Sequence, residues 1–144
     1  MPPGLAALSA EIQRATGTES SSCSDLGNLI VFVTPRRFVT PGILVGPADV
    51  AWEIEIVDAG STDSNYPTGS TPAIYPYLWS GRAYYFVLPW GDSAPAMQRA
   101  IRLAVTVTAV DRWGRRSQPC TVVVQHIGRL LSDERTTGGP IACN

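Results

Sequence analysis

The only histidine of this 144-residue chain is His126, and its thiols are Cys23, Cys120 and Cys143. A nucleophilic Cys–His or Ser–His pair would need that imidazole within hydrogen-bond reach of a thiol or hydroxyl. Cys120 and His126 stand at either end of one apolar run, about 20 Å apart along an extended strand, so they do not meet. The expectation is a strand-end histidine satisfied by solvent or backbone. Glu53 and Glu55 share a strand face at about 6.6 Å, a spacing that resembles the carboxylate pair of glycoside hydrolysis. Nothing of catalytic type flanks them, and a solvated sheet face is expected instead. Asp58, Asp63 and Asn65 offer hard oxygen ligands for calcium, but their spacing fits no EF-hand loop, and Asx residues beside Gly and Pro commonly serve turns. Three cysteines without a C-x-x-C spacing disfavour zinc or a closed disulfide framework and leave one intramolecular bridge open. No P-loop, GxGxxG, GxSxG or HExxH occurs. The expectation is a protein that is no enzyme and takes no cofactor or metal.

Two groups of residues suit recognition better than reaction. In Arg112-Trp113-Gly114-Arg115-Arg116, three guanidinium groups surround one indole, and Trp and Arg are the types most enriched in interface hot spots; the alternative is that Trp113 folds back over the sheet end and the arginines are only solvated. Tyr66, Tyr75, Tyr77, Trp79, Tyr84, Tyr85 and Trp90 crowd one region stiffened by Pro72, Pro76 and Pro89. Most of these rings are expected to pack the sandwich core or brace its long loop; alternatively Tyr75, Tyr77, Trp79 and Trp90 form a candidate aromatic surface that could stack on a carbohydrate or fill a partner's pocket.

The elements that must carry these residues follow from periodicity. In Trp52-Glu53-Ile54-Glu55-Ile56 the apolar and acidic residues alternate, as they do between Ile101, Leu103, Val105, Val107, Ala109 and Arg102, Ala104, Thr106, Thr108. Both patterns describe half-buried strands. Further short β-rich runs separated by Pro and Gly predict strands at 29–34, 42–45, 51–57, 73–77, 82–88, 101–110 and 120–126. Gly114 turns the last two into a hairpin with the Arg/Trp cluster at its tip. Cys120 shares parity with Val122 and Val124 and is expected to be buried, whereas Cys143 is expected to be mobile and to label first. Leu5, Leu8 and Ile12, spaced i, i+3 and i+7, predict an amphipathic helix over residues 3–15. The polar stretch 16–24 makes that helix a separate arm, and Leu5, Leu8 and Ile12 a candidate interface.

Composition narrows the partners. Hydrophobic residues make up 44% and charged residues 16%, so the chain folds; the net charge of −1 removes the basic field on which non-specific nucleic-acid binding depends. No stretch approaches a membrane span and no signal segment is evident at Met1. All eleven cations are arginine, which reflects codon bias in a GC-rich genome or, alternatively, suits fixed bidentate or stacked contacts. Residues 1–97 carry four Arg against nine acids and residues 98–144 carry seven against three, or −5 against +4. Acidic and basic strands could pair within one sheet, or one copy's acidic face could meet the next copy's basic face.

Leu103-x-Val105-x-Val107-x-Ala109-Val110-Asp111, followed by Gly114 and Ser117, resembles the F–G hairpin of fibronectin type III and related immunoglobulin-like domains, and Trp52–Ile56 is similar to a central strand of that family. The resemblance implies an all-β fold: a single sandwich of about seven strands over 25–128, after an N-terminal helical arm and linker over 1–24 and before a flexible tail over 129–144. It further implies a binding or assembly module, since similar single domains recur as structural and capsid-decorating components of tailed phages. The expected function is a non-enzymatic virion subunit, assembled in the host cytoplasm, with a protein partner or further copies of itself and with neither nucleic acid nor membrane. An extracellular adhesion or carbohydrate-binding module is the alternative.

Overall fold

Strand alternation, and not helical periodicity, organises the described residues. In a computed structural model, which describes residues 4–16, 26–36, 39–40, 43–44, 50–72, 78–80, 83–128 and 136–143, the elements are eleven β-strands and one 3₁₀ turn at Pro95–Met97. The strands are β1 (Leu5–Gln13), β2 (Leu26–Pro35), β3 (Val39–Thr40), β4 (Ile43–Leu44), β5 (Val50–Asp58), β6 (Gly69–Ser70), β7 (Leu78–Ser80), β8 (Ala83–Gly91), β9 (Ile101–Asp111), β10 (Cys120–His126) and β11 (Thr136–Ala142). One antiparallel sheet has the order β11-β1-β2-β8-β7 and the other β10-β9-β5-β6, while β3 and β4 form a small two-stranded sheet. The architecture is all-β and sandwich-like. The expected strand at 73–77 lies outside the described residues.

Every second residue of each long strand enters one shared core. Leu29, Val31 and Val33 on β2 and Phe86 on β8 face Trp52 and Ile54 on β5, Leu103, Val105 and Val107 on β9, and Val122 and Val124 on β10. Side chains of this kind each contribute about 1.5–3 kcal/mol when fully withdrawn from water. Gly27 stands opposite Trp90 in the β2–β8 register, and a methyl group there would lie 2.5–2.8 Å from the indole carbons. The missing side chain is what lets the indole lie flat inside the core.

The N-terminal segment corrects the sequence expectation: residues 5–13 are no helical arm but β1, hydrogen-bonded to β2 on one side and β11 on the other. Leu8, Ala10 and Ile12 alternate inward while Ser9, Glu11 and Gln13 turn outward. A bulge shifts the β1–β2 register between Leu5 and Ala7, so that one extra residue returns Leu5 to the same face as Leu8. An interrupted period of two therefore imitates i, i+3, i+7. Leu5, Leu8 and Ile12 are 0–1% exposed and belong to the core, not to an interface. The stretch 17–25 lies outside the described residues.

The C-terminal expectation changes as well. Residues 136–142, anticipated within a flexible tail, pair with β1, and Cys143 is disulfide-bonded to Cys120. Gly138 approaches β10 so closely that a Cβ would overlap the Val123 carbonyl. Glycine at this position is what allows β11 to pack there. Cys120 is buried, as its parity with Val122 indicates, but Cys143 is held and not mobile.

Candidate functional site

The β9–β10 hairpin presents its tip at residues 111–117. Asp111 ends β9 with its carboxylate almost wholly enclosed, and organises the turn. Its Oδ1 accepts the backbone N–H groups of Trp113 (3.0 Å) and Arg115 (2.9 Å), and its Oδ2 accepts Arg115 Nε at 2.6 Å. The Asp111 N–H in turn donates to the Arg115 carbonyl, and the Gly114 N–H to the Asp111 carbonyl, each at 3.0 Å. Gly114 adopts φ +81°, the left-handed region where a Cβ is strained. Burial by itself would raise the Asp111 pKa, but the Arg115 and Trp113 N–H donors and the Arg115 guanidinium hold it below the ordinary carboxylate value. The turn is thus pinned by one ionised side chain.

On this frame Trp113 is 59% exposed, with the Arg112 guanidinium 4.4 Å and that of Arg115 5.0 Å from its ring centroid. Both distances are within the range of cation–π attraction. Arg116 bridges back to Val110 in the backbone and makes a two-pronged ion pair with Glu53, one prong at 2.8 Å. That pair holds the Glu53 pKa below its ordinary value, and it joins the acidic and basic parts of the sequence within one chain. The four residues Arg112, Trp113, Arg115 and Arg116 therefore come together as an exposed cluster on a locked turn.

Beside the tip, on the outward face of β5 and β9, lies a groove of about 250 Å³ lined chiefly by Glu53, Glu55, Thr71, Thr106, Thr108 and Arg116. The Glu53 and Glu55 pair shares this face, as alternation requires, with Glu53 committed to Arg116.

The other candidates part company. Trp90 is 9% exposed and packed in the core, so it contributes nothing to an aromatic surface. Tyr84 is buried too, and Tyr85 contacts Phe32 with ring centroids 5.9 Å apart. Tyr75, Tyr77 and the side chain of Trp79 lie outside the described residues. Asp58 accepts the Gly60 and Ser61 N–H groups of its own turn, and among the described residues no three metal-binding side chains cluster. His126 is buried, and its Nδ1 accepts the Gly128 N–H at 3.0 Å.

One buried constellation escapes sequence reasoning. Arg14 meets Asp92 through Nε and Nη2 (2.9 Å each), Asp63 through Nη2 (2.7 Å) and the Arg99 carbonyl through Nη1 (2.7 Å). Burial opposes the Asp63 charge, yet the Arg99 and Asn65 N–H donors and the Arg14 guanidinium keep its pKa below the ordinary value. With its acceptors occupied, this network has no group free for chemistry and serves as a clamp joining three loops at one end of the sheets. Nothing in the spacing of Arg14, Asp63 and Asp92 could have announced it. The chain matches no family model, no curated protein and no solved structure.

Proposed function

We propose that this protein is a non-enzymatic assembly module that docks on an acidic protein surface through the Arg112–Trp113–Arg115–Arg116 tip. The observation that carries the reading is the exposed indole with two guanidinium groups over its ring, on a turn already locked by Asp111. A preordered aromatic and cationic anchor loses little freedom on binding, which is how small contact areas gain affinity. We propose further that the fold is of immunoglobulin-like or fibronectin type and that the module decorates a virion. The small two-sheet build supports the first part. The Cys120–Cys143 bridge supports the second, because disulfides persist on virion and cell surfaces and not in a reducing cytoplasm.

A fluorescein-labelled peptide rich in Asp and Glu, titrated with the protein and followed by anisotropy, tests the tip. Trp113→Ala should weaken binding about thirtyfold, the equivalent of about 2 kcal/mol. Arg115→Glu should slow association and reverse its salt dependence. Absence of binding, or equal binding by both variants, overturns the reading.

A further inference from the structure

We propose that the outward face of β5, β9 and β10 is a two-fold interface with a second copy of this chain, at which each copy lays its own tip against the face of the other. The proposal rests on the reading of the tip as the recognition element and names its partner.

The strand registers lay this face out in rows. Val57, Ala104 and Val123 are directly opposite one another and form an apolar row; Val57 is 50% and Val123 43% exposed. The next row is Glu55, Thr106 and Thr121, and the one after it pairs Glu53 with Thr108. Arg116 follows, level with Val110, and beyond it comes the tip. Among the described residues Glu55 and Arg112 have no ion-pair partner, although one borders the groove and the other leads the tip. The face thus offers an unpaired acid beside exposed apolar residues, and the tip offers an unpaired cation beside an exposed indole.

A single symmetry operation satisfies both. Arg112 stands about 20 Å past Thr106 along β9 by strand rise, with Ala109 midway between them. A two-fold axis lying across β9 at Ala109, parallel to the face, brings Arg112 of each copy over the Glu55–Thr106 row of the other. The same rotation carries Trp113, which shares the turn with Arg112, to the neighbourhood of the Glu55–Thr106 row and the adjoining Val57–Ala104–Val123 row, and sets the Arg116–Glu53 pair of one copy next to that of its mate. The sheets then stack face to face with antiparallel strands, an aligned packing that twisted sheets adopt. Because both halves of the contact lie on one face, the arrangement closes as a dimer and does not propagate into a filament. Three strands by about ten residues give an area of about 500 Å² per copy, at the low end for specific interfaces, so the dimer is weak and reversible.

Sedimentation velocity from about 10 µM to about 1 mM, the range in which an interface of this size associates, tests the proposal on the intact, oxidised chain. The wild type should shift from monomer to dimer. Val123→Arg and Glu55→Arg, both exposed and away from the core, should each weaken the dimer about tenfold or more, with unchanged melting temperature. Combining Glu55→Arg with Arg112→Glu should restore association to near the wild-type level. A chain that stays monomeric at the highest concentration overturns the proposal, as does a dimer that Val123→Arg and Glu55→Arg leave intact. Binding of the acidic peptide by the same samples reports separately on the tip, because Val123 and Glu55 lie outside it.

Discussion

Replacing Cys143 by Ser cuts the one covalent link between the end of β11 and the start of β10. The bridged residues are separated by 23 positions, with their Cα atoms 5.8 Å apart. In the chain-entropy treatment, closing a loop of that length removes about 3.4 kcal/mol worth of freedom from the unfolded ensemble at 25 °C. For a chain of this size about 1 kcal/mol moves the melting temperature by about 3–4 °C, so the variant should melt about 10 °C below the oxidised wild type. Differential scanning calorimetry of both proteins, with and without reductant, measures the difference. Reductant should lower the wild type to the level of the variant and leave the variant unmoved. Alkylation of the unfolded, unreduced wild type should label one of its three cysteines. Three labelled thiols, or a melting shift below about 3 °C, would refute the reasoning, the second because the β1–β11 ladder would then be fixing that loop unaided.

Other perturbations address the clamp, the core and the tip. Asp92→Asn leaves the buried Arg14 charge half compensated and should cost about 3 kcal/mol in urea unfolding. Asp63 and Asp111 both have folded pKa values below their unfolded ones, so their stabilisation is fully present above the unfolded values near pH 4 and is lost as pH falls through the folded ones. Urea midpoints measured down through that window should fall less steeply in Asp63→Asn than in the wild type. Gly27→Ala should cost about 1–3 kcal/mol by collision with Trp90, and a double-mutant cycle with Trp90→Leu should show strong non-additivity. Asp111→Ala should loosen the tip and weaken acidic-peptide binding about tenfold while far-ultraviolet circular dichroism stays unchanged.

Strands with one wet face were legible because their alternation is uninterrupted. Trp52–Ile56 and Ile101–Ala109 face as their spacing says, and Gly114 marks the turn between β9 and β10. Each misjudged segment contains an irregularity that only a neighbouring strand explains. The bulge near Ala6 disguises β1 as a helix, and Gly138-Gly139-Pro140 disguises β11 as a tail although Gly138 is there to clear the Val123 carbonyl. For Trp90 the sequence leaves core and surface both open, and the vacant side of Gly27 shows where the indole goes. The tip was legible as a cluster because its residues are contiguous. The Arg14 clamp, drawn from residues 49 and 78 positions away, was not.

Strand β1 has one neighbour made soon after it and another made near the far end of the chain: β2 begins at Leu26, whereas β11 begins at Thr136. At ordinary translation rates about 10 s separate the two on the ribosome. During that interval β1 can pair along only one side, and the thiol of Cys120 waits for Cys143. The outward Ser9, Glu11 and Gln13 then face the surroundings without their eventual neighbours and discourage pairing with other nascent chains. The first sheet is consequently complete only once β11 has emerged, and that closing step is where an oxidant or a folding helper would change the yield.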